Sequence, residues 1–318
     1  MSLAEHFEMP STLESVVKRK ERELETPSGK TRVYEFVPDH PVSEVPVLLA
    51  PGFGGTETIY EESIIEFVRG NRRKIITIDH PKFGGRKLRE EENTSASTEL
   101  SRRKETLLSL ISSLETRGIE KIDAITHSEG TINLTEAVEK NPSSFRNIVF
   151  FAPAGLVDRT NKETFRQSIA HLAHNFFRGI ASQANTPRSE AEERRKKTAI
   201  REGTIYVFKN VIRSLEEIFG IAKTSLKRSL ENIRKSSDRD GLDLKIIVTV
   251  PINDTVFPLE EMKETLRELV REGVINGIIT IGKRGDSSMG HSAPYESKDC
   301  LACVGSLFGT LEEKGSPS

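Results

Sequence analysis

Short apolar segments alternate with amphipathic segments along most of this 318-residue chain, and this alternation constrains the fold more than any other feature. Val45–Ala50 (VPVLLA) is apolar throughout, and Glu57–Arg69 follows with apolar residues at helical spacing. Strands that are apolar on both faces are typical of a parallel sheet covered by helices on both sides. The further strands predicted in this series are Lys74–Asp79, Lys121–Ile125, Asn147–Phe151, Lys245–Val250 and Val274–Ile281. The sequence therefore predicts an α/β fold with a mostly parallel sheet flanked by helices.

Two segments that precede this series are predicted to form a hairpin. Ser15–Leu24 and Lys30–Val37 are rich in Val, Phe and Tyr, and the turn TPSG joins them. With this hairpin counted, the strand at Asn147–Phe151 is the sixth. The other helices predicted between or after strands are Thr98–Arg117, Ser128–Lys140, Leu259–Arg271 and Lys298–Leu311.

The alternation stops between residues 156 and 242, where we find helical patterns and no convincing strand. We expect one α/β domain, residues 1–155 and 243–318, with an all-helical cap at 156–242 inserted after the sixth strand. The cap contains 18 Lys and Arg against 11 Asp and Glu, whereas the whole chain contains 47 and 48. This excess is either a solvated helical surface or a positive rim that attracts anionic groups. The four helices predicted in the cap are Phe165–Ala181, Glu190–Ile200, Ile205–Phe219 and Ala222–Ile233.

Composition and charge exclude several classes of protein. With 35% apolar and 30% charged residues, we expect a soluble globular protein. The formal net charge of −1 argues against a nucleic-acid partner for the whole chain. No run approaches the roughly 18 apolar residues of a membrane span, and the first ten residues lack the apolar region of a secretory signal. We therefore expect a cytoplasmic protein, and the sequence predicts no oligomeric state.

Neither a metal nor a cofactor is expected. Cys300 and Cys303 lie in an apolar helical run, so we interpret them as two reduced, packed thiols. His171 and His174 have the spacing H-x-x-H, but zinc needs at least three protein ligands and no third is obvious. The stretch PGFGG lacks both the Gly-Lys-Ser/Thr of a phosphate loop and the last glycine of a dinucleotide fingerprint.

The motif THSEG, which begins at Thr126, lies between a predicted strand and a predicted helix. A tight strand–turn–helix connection exposes a serine and needs small neighbours; Gly130 meets that need, whereas Thr126 stands where glycine is usual. A serine nucleophile also needs a base that an acid orients. Asp254 follows the strand KIIVTV and His291 follows the strand VINGIITI, in the order expected for such a sheet. The sequence therefore predicts Ser128 as nucleophile, His291 as base and Asp254 as the acid.

Backbone N–H groups near a helix start can bind the oxyanion that forms during acyl transfer. PGFGG follows the first parallel strand and precedes a helix, so we assign the two donors to the N–H of Phe53 and the N–H of Glu129. The side chain of Glu129 either pairs with a basic cap residue, binds a cationic substrate group or tunes the acyl pocket. Asp158, which follows the sixth strand, is the alternative acid.

With these motifs in place, the chain resembles the α/β-hydrolase superfamily over nearly its whole length. The resemblance rests on the hairpin and on the stretches PGFGG, TIDHPKFGG, THSEG, PINDTVFP and MGHSAPYES. It implies a Ser128–Asp254–His291 triad and a helical cap between the sixth and seventh strands. Serine in THSEG disfavours the relatives with an aspartate nucleophile. Two departures are Thr126 in place of glycine and Pro51-Gly52 where His-Gly is frequent, and neither removes a catalytic group.

The function expected from these features is that of a capped, esterase- or lipase-like serine hydrolase. Its substrates would be small carboxylic esters with a moderately apolar acyl group, cleaved through an acyl-enzyme intermediate. A lipase or thioesterase, with the basic cap against an anionic interface or an acyl carrier, is the first alternative. A carbon–carbon hydrolase, a peptidase and a ligand receptor with little turnover share the same machinery and stay open.

Overall fold

A single eight-stranded sheet organises the described part of the chain. The structure is a computed structural model that describes residues 17–53, 55–79, 99–156, 211–254, 256–282, 290–291 and 293–313, together with residues 197 and 201. The strands in chain order are β1 (Val17–Thr26), β2 (Gly29–Pro38), β3 (Ser43–Ala50), β4 (Arg73–Ile78), β5 (Ile122–His127), β6 (Phe145–Phe151), β7 (Lys245–Pro251) and β8 (Gly277–Ile281).

The strand order is β1-β2-β4-β3-β5-β6-β7-β8. β1 and β2 form the predicted antiparallel hairpin, and β2 pairs antiparallel with β4. All later pairs, from β4–β3 to β7–β8, are parallel. The carboxyl ends of β3, β5, β6, β7 and β8 therefore lie at one edge of the sheet. The prediction of a mostly parallel sheet is confirmed.

Helices cover both faces of this sheet. In chain order they are α1 (Glu57–Asn71), α2 (Glu99–Thr116), α3 (Gly130–Lys140), α4 (Val211–Lys223), α5 (Leu226–Arg239), α6 (Leu259–Arg271), α7 (Ala293–Glu296) and α8 (Cys300–Glu313). Neighbouring strand residues point to opposite faces, as the pleat requires. Leu48 belongs to the core under α2, α3, α5 and α6, whereas Val47 and Leu49 belong to the core under α1 and α8. Strands that are buried on both faces explain the continuous apolar runs in the sequence.

One helix predicted as continuous is divided in the structure. We predict a helix over Ala222–Ile233, but α4 ends at Lys223 and α5 begins at Leu226. The apolar pattern runs on across this break, since the side chains on both sides of it are buried. The backbone turns there because the N–H of Leu226 donates to the carbonyl of Gly155 at 2.8 Å, which ties the start of α5 to the loop after β6.

Two smaller expectations are also corrected. β8 begins at Gly277 and not at Val274, because the N–H of Val274 closes the turn after α6 by donating to the carbonyl of Leu269. Cys300 is packed as expected, and burial raises the pKa of its thiol. Cys303 is exposed, since three residues advance a helix by about 300° and not by a full turn.

The helical segment between β6 and β7 is described in part. α4 and α5 both lie in it, in agreement with the prediction that this segment contains helices. The predicted helix Phe165–Ala181 falls outside the described residues, as do His171, His174 and the alternative acid Asp158. Of the predicted helix Glu190–Ile200, only residue 197 is described, and it is helical. In the part of the chain that the structure describes, no helix has both the length and the apolar character needed to cross a membrane.

Candidate active site

Ser128 occupies a strained turn between β5 and α3. Its φ of +52° lies in the left-handed region, which costs a residue other than glycine about 1–3 kcal/mol. Backbone hydrogen bonds hold the turn: the N–H of Ser128 donates to the carbonyl of Phe151 at 3.0 Å, and its own carbonyl accepts from Ala154 at 3.2 Å. Ser128 is thereby fixed beyond the carboxyl end of β5. The helix predicted to begin at Ser128, α3, begins at Gly130 instead, because the left-handed backbone of Ser128 cannot belong to a right-handed helix.

The backbone of α3 approaches the end of β3 very closely at Gly130. A Cβ atom at this position would lie 2.6 Å from the carbonyl oxygen of Pro51, and closer still to that of Ala50. Glycine is therefore a steric requirement here, as the motif indicates. Gly52 approaches the same turn from the other side, because a Cβ built on it would lie 3.1 Å from the Cβ of Ser128.

Thr126, which stands where glycine is usual, fits this turn because its hydroxyl has a partner. Its Oγ1 lies 2.8 Å from Oγ1 of Thr131, and both side chains are buried. A buried hydroxyl without such a partner would cost about 1–3 kcal/mol. The residue that follows the motif therefore supplies the compensation for the missing glycine.

The three residues predicted as a triad meet at the carboxyl edge of the sheet. Nε2 of His291 lies 2.9 Å from Oγ of Ser128. Nδ1 of His291 lies 2.9 Å from Oδ2 of Asp254. The side chain of Asp254 is inaccessible to solvent, whereas that of His291 is 15% exposed. The hydrogen bonds thus run from a buried carboxylate through an imidazole to a serine hydroxyl.

Asp254 is held by its own loop after β7. Its Oδ1 accepts the backbone N–H groups of Val256 and Phe257, both at 2.8 Å. These bonds leave Oδ2 directed at His291. The ring of Phe257 also contacts the imidazole of His291 edge-on, with 5.2 Å between ring centroids. The loop therefore orients both the acid and the histidine.

His127, the residue before the serine, supports the site through a second hydrogen-bonded network. Its Nε2 lies 2.8 Å from the carbonyl oxygen of His291, so Nε2 carries the hydrogen. Its Nδ1 then accepts from the hydroxyl of Tyr60 at 2.7 Å, and that hydroxyl accepts the backbone N–H of Gly52 at 3.2 Å. Burial raises the pKa of Tyr60, which keeps its hydroxyl protonated. This network ties the His291 backbone to the PGFGG loop.

His127 gives the folded state a specific pH dependence. Burial, with a smaller contribution from the charge of His291, lowers its pKa well below the ordinary value of 6.5. Below that pH the unfolded chain binds a proton that the folded chain excludes, so the unfolding free energy decreases as the pH falls. Between about pH 6.5 and about pH 5, we expect this decrease to be steeper in the wild type than in His127→Gln, by a difference that grows from about 0.7 to about 1.4 kcal/mol per pH unit. Urea denaturation at several pH values measures it, and equal slopes would contradict a neutral His127.

The PGFGG loop forms a tight turn against the site. The N–H of Gly55 donates to the carbonyl of Gly52 at 2.9 Å, whereas the N–H of Gly52 is used by Tyr60. The N–H of Gly52 is therefore already bonded and is not a candidate donor for the oxyanion. The assignment of the oxyanion hole to the N–H groups of Phe53 and Glu129 stays a prediction.

The side chain of Glu129 lies in a buried cluster of charged groups. Its carboxylate pairs with Arg103 of α2, and the same guanidinium pairs with Glu217 of α4. Nδ2 of Asn133 donates to the carboxylate of Glu129 at 3.3 Å. Of the three possibilities for Glu129, pairing with a basic residue is the one observed. That residue belongs to α2 and not to the cap.

Another buried carboxylate fixes the start of α1 behind the PGFGG loop. Asp79 follows β4, and its Oδ1 accepts the backbone N–H of Glu57 at 3.1 Å. Its Oδ2 accepts the hydroxyl of Tyr34 at 2.8 Å. Burial raises the pKa of Asp79 to about 6. These bonds join β2, β4 and α1 beneath the site.

Three residues that shape the site have no signal in the sequence. Tyr60 follows the apolar pattern of α1, which indicates only a core position. Arg103 and Glu217 belong to amphipathic helices in which charged residues normally face water. Each of the two is nevertheless at most 5% exposed. Among the described residues, no group of three or more His, Cys, Asp and Glu is arranged to hold a metal ion.

The chain was also compared with known proteins. No protein-family model and no curated protein matches it. Among solved structures, a lipase from Acinetobacter baumannii AYE, described as putative, is similar with a TM-score of 0.63 at 13% identity, over 94% of this chain and 93% of that one. A thermophilic esterase from Thermogutta terrifontis has a TM-score of 0.56 at 16% identity, over 93% and 100%. A bromoperoxidase from Bacillus anthracis has a TM-score of 0.57 at 13% identity, over 92% and 98%. With the sheet order above, these likenesses show that the chain has the α/β-hydrolase fold, as its sequence motifs indicate.

Proposed function

We propose that this chain is a serine hydrolase that cleaves carboxylic esters through an acyl-enzyme intermediate. The observation that carries the proposal is the pair of 2.9 Å hydrogen bonds that link Asp254, His291 and Ser128. These bonds put a base within reach of a hydroxyl and an acid within reach of that base, as nucleophilic catalysis requires. Similar structures include an esterase and a lipase, but the fold they share hosts many reactions. The proposal therefore rests on the site.

In the proposed acylation step, Ser128 attacks the carbonyl carbon of the ester. Nε2 of His291 takes the hydroxyl proton as the new bond forms, and Asp254 holds the imidazole in the tautomer that leaves Nε2 able to accept. The negative charge on the carbonyl oxygen is bound by the N–H groups of Phe53 and Glu129. His291 then gives its proton to the departing alcohol, and the acyl group stays on Ser128.

In the proposed deacylation step, water replaces the alcohol. His291 takes a proton from the water, whose oxygen attacks the acyl carbon and re-forms the oxyanion in the same place. Collapse of this intermediate breaks the bond to Ser128, and His291 returns the proton to the serine oxygen. The products are a carboxylic acid and the regenerated enzyme.

The proposal includes a helical cap at residues 156–242 on a core of residues 1–155 and 243–318. Two contacts support it. The N–H of Leu226 donates to the carbonyl of Gly155, just after β6, and Glu217 of α4 pairs with Arg103 of α2. Both contacts join this segment to the core, and its last helix, α5, itself covers one face of the sheet with α2, α3 and α6. Such a cap would wall an apolar acyl pocket. The cytoplasmic location expected from the sequence stays a prediction.

One alternative follows from the charge of the segment. An excess of Lys and Arg over Asp and Glu at residues 156–242 suits an anionic interface or an acyl carrier, as a lipase or thioesterase would meet. The same excess suits a solvated helical surface in a small-ester hydrolase. The two functions differ in the acyl chain that is cleaved fastest and in the response to micelles.

A panel of p-nitrophenyl esters, from acetate to palmitate, tests the function and separates these alternatives. We expect the highest kcat/KM for short to medium acyl chains in free solution, with no activation when detergent micelles are added. Activation by anionic micelles with a long-chain optimum would favour the lipase. Rates equal to those of Ser128→Ala for every ester would overturn the proposed function.

A further inference from the structure

Arg103 is the centre of a buried cluster of charged side chains that includes Glu129, one of the two residues of the proposed oxyanion hole. Its side chain is 5% exposed, and the side chains of its two partners, Glu129 and Glu217, are inaccessible to solvent. A buried carboxylate is stable in its charged form only when a cation and hydrogen-bond donors compensate the lost hydration. The ion pair with Arg103 therefore fixes the carboxylate of Glu129 in its buried position.

The guanidinium of Arg103 also contacts the second residue of the proposed oxyanion hole. Its central carbon lies over the ring of Phe53, 5.6 Å from the ring centroid. One planar group thus contacts the side chains of both Phe53 and Glu129, the residues whose backbone N–H groups are the proposed donors. These two residues come from different loops, after β3 and after β5.

Oxyanion binding depends on the relative position of its donors, because a displacement of about 1 Å can lower a rate about 100-fold. The planar fork of arginine suits this task. It can hold a carboxylate with one nitrogen and a second carboxylate with the other while its face lies on a ring. The ammonium of lysine is a single compact charge and cannot make all three contacts at once.

We propose that Arg103 is a positioning residue for hydrolysis, which fixes the N–H groups of Phe53 and Glu129 relative to each other through their side chains. This inference rests on the proposed function. Glu217, which belongs to α4 between β6 and β7, orients the guanidinium from the other side. The position of α4 therefore influences the oxyanion hole through Arg103.

Arg73, the first residue of β4, supplies a buried-arginine control at the edge of the sheet opposite to the site. Its side chain is also 5% exposed, it pairs with the solvent-inaccessible carboxylate of Asp123, and it lies over the ring of Phe308 at 5.1 Å. Asp123 is near the start of β5, whereas Ser128 follows its end. Arg73→Met and Arg103→Met each remove a buried ion pair and a contact with an aromatic ring, and only Arg103 is next to the proposed oxyanion hole. Asp123 keeps a second partner in Arg146, whereas Glu129 and Glu217 share Arg103, so Arg73→Met is the milder of the two substitutions.

The test compares wild type, Arg103→Met, Arg103→Lys and Arg73→Met on one short-chain p-nitrophenyl ester. We expect kcat to fall about 100-fold in Arg103→Met and about tenfold in Arg103→Lys, with KM within about threefold of the wild type. Affinity for a trifluoromethyl ketone, which forms a tetrahedral adduct with a serine, should fall in proportion to kcat/KM. Arg73→Met should also lower the melting temperature, while it leaves kcat/KM unchanged.

Each outcome has a distinct meaning. Wild-type rates that equal those of Ser128→Ala overturn the proposed function and the role of Arg103 with it. If turnover requires Ser128, equal kcat/KM in Arg103→Met and Arg73→Met overturns the role of Arg103 alone. If Arg103→Met does not fold, the variants Arg103→Lys and Glu217→Gln test the role of Arg103 in its place. We expect kcat to decrease in both with little change in KM, and wild-type kcat in both would overturn the inference.

Discussion

Replacing Ser128 by alanine is expected to lower kcat for ester hydrolysis about 10⁴- to 10⁶-fold, the range in which removal of a serine nucleophile usually falls. The reason is that Oγ of Ser128 is the atom placed 2.9 Å from the base. The residual rate would come from binding and from the oxyanion donors, which the substitution leaves in place. Initial rates on a short-chain p-nitrophenyl ester, at saturating substrate, measure the effect.

A second substitution makes this prediction more specific. If Ser128 and His291 act as one unit, the double variant Ser128→Ala/His291→Ala should be about as slow as Ser128→Ala alone. Losses that multiply in the double variant would contradict a shared step. Ser143→Ala is the control, because its hydroxyl is on an exposed turn and contacts Asn141. It should retain the wild-type rate.

Replacing Gly130 by alanine is expected to lower the unfolding free energy by about 3 kcal/mol and to reduce kcat. The added Cβ would lie 2.6 Å from the carbonyl oxygen of Pro51, closer than any real contact, and neither backbone can move without shifting β3 or α3. A shift of α3 would also move Glu129, the residue before it. Urea denaturation measures the loss of stability and ester hydrolysis the loss of activity.

Gly309→Ala is the matched control for this effect. Gly309 is an exposed helical glycine of α8, and a Cβ built there meets no atom within 4 Å. Alanine should therefore stabilise the protein by about 0.5–1 kcal/mol, as expected from helix propensity. If Gly130→Ala proved as stable as the wild type, the close approach of α3 to β3 would be wrong.

Much of the fold could be predicted from the sequence because a doubly covered sheet produces short, continuous apolar strands. Val45–Ala50 and Lys245–Val250 were recognisable for this reason, and the structure has strands at Ser43–Ala50 and Lys245–Pro251. The helix break at Thr224 and Ser225 was not recognisable. Its cause is a bond from Leu226 to Gly155, and no local pattern encodes a contact between such distant residues.

The proposed triad could be predicted because its members follow successive strands in a fixed order. A parallel sheet brings the ends of such strands to one edge, so the order along the chain gives proximity in space. Tyr60, Arg103 and Glu217 follow no such rule. Their buried positions depend on which partner each helix meets, and helical periodicity does not specify that.

Thr126 shows how an incomplete motif can still form a complete turn. Glycine is usual at this position because strand and helix approach closely. Here the same region accommodates a larger side chain whose hydroxyl is bonded to Thr131. The five-residue motif alone therefore does not explain how Thr126 fits, because the compensating residue, Thr131, lies just after it.

The central claim is that Ser128 is a nucleophile that His291 activates, and covalent labelling tests it most directly. A fluorophosphonate reacts with an activated serine and not with ordinary serines. We predict that the wild type incorporates one equivalent of the probe and that peptide mass spectrometry locates it on Ser128. His291→Ala should label far more slowly. Absence of labelling in folded wild-type protein, or labelling at another residue, would contradict the claim.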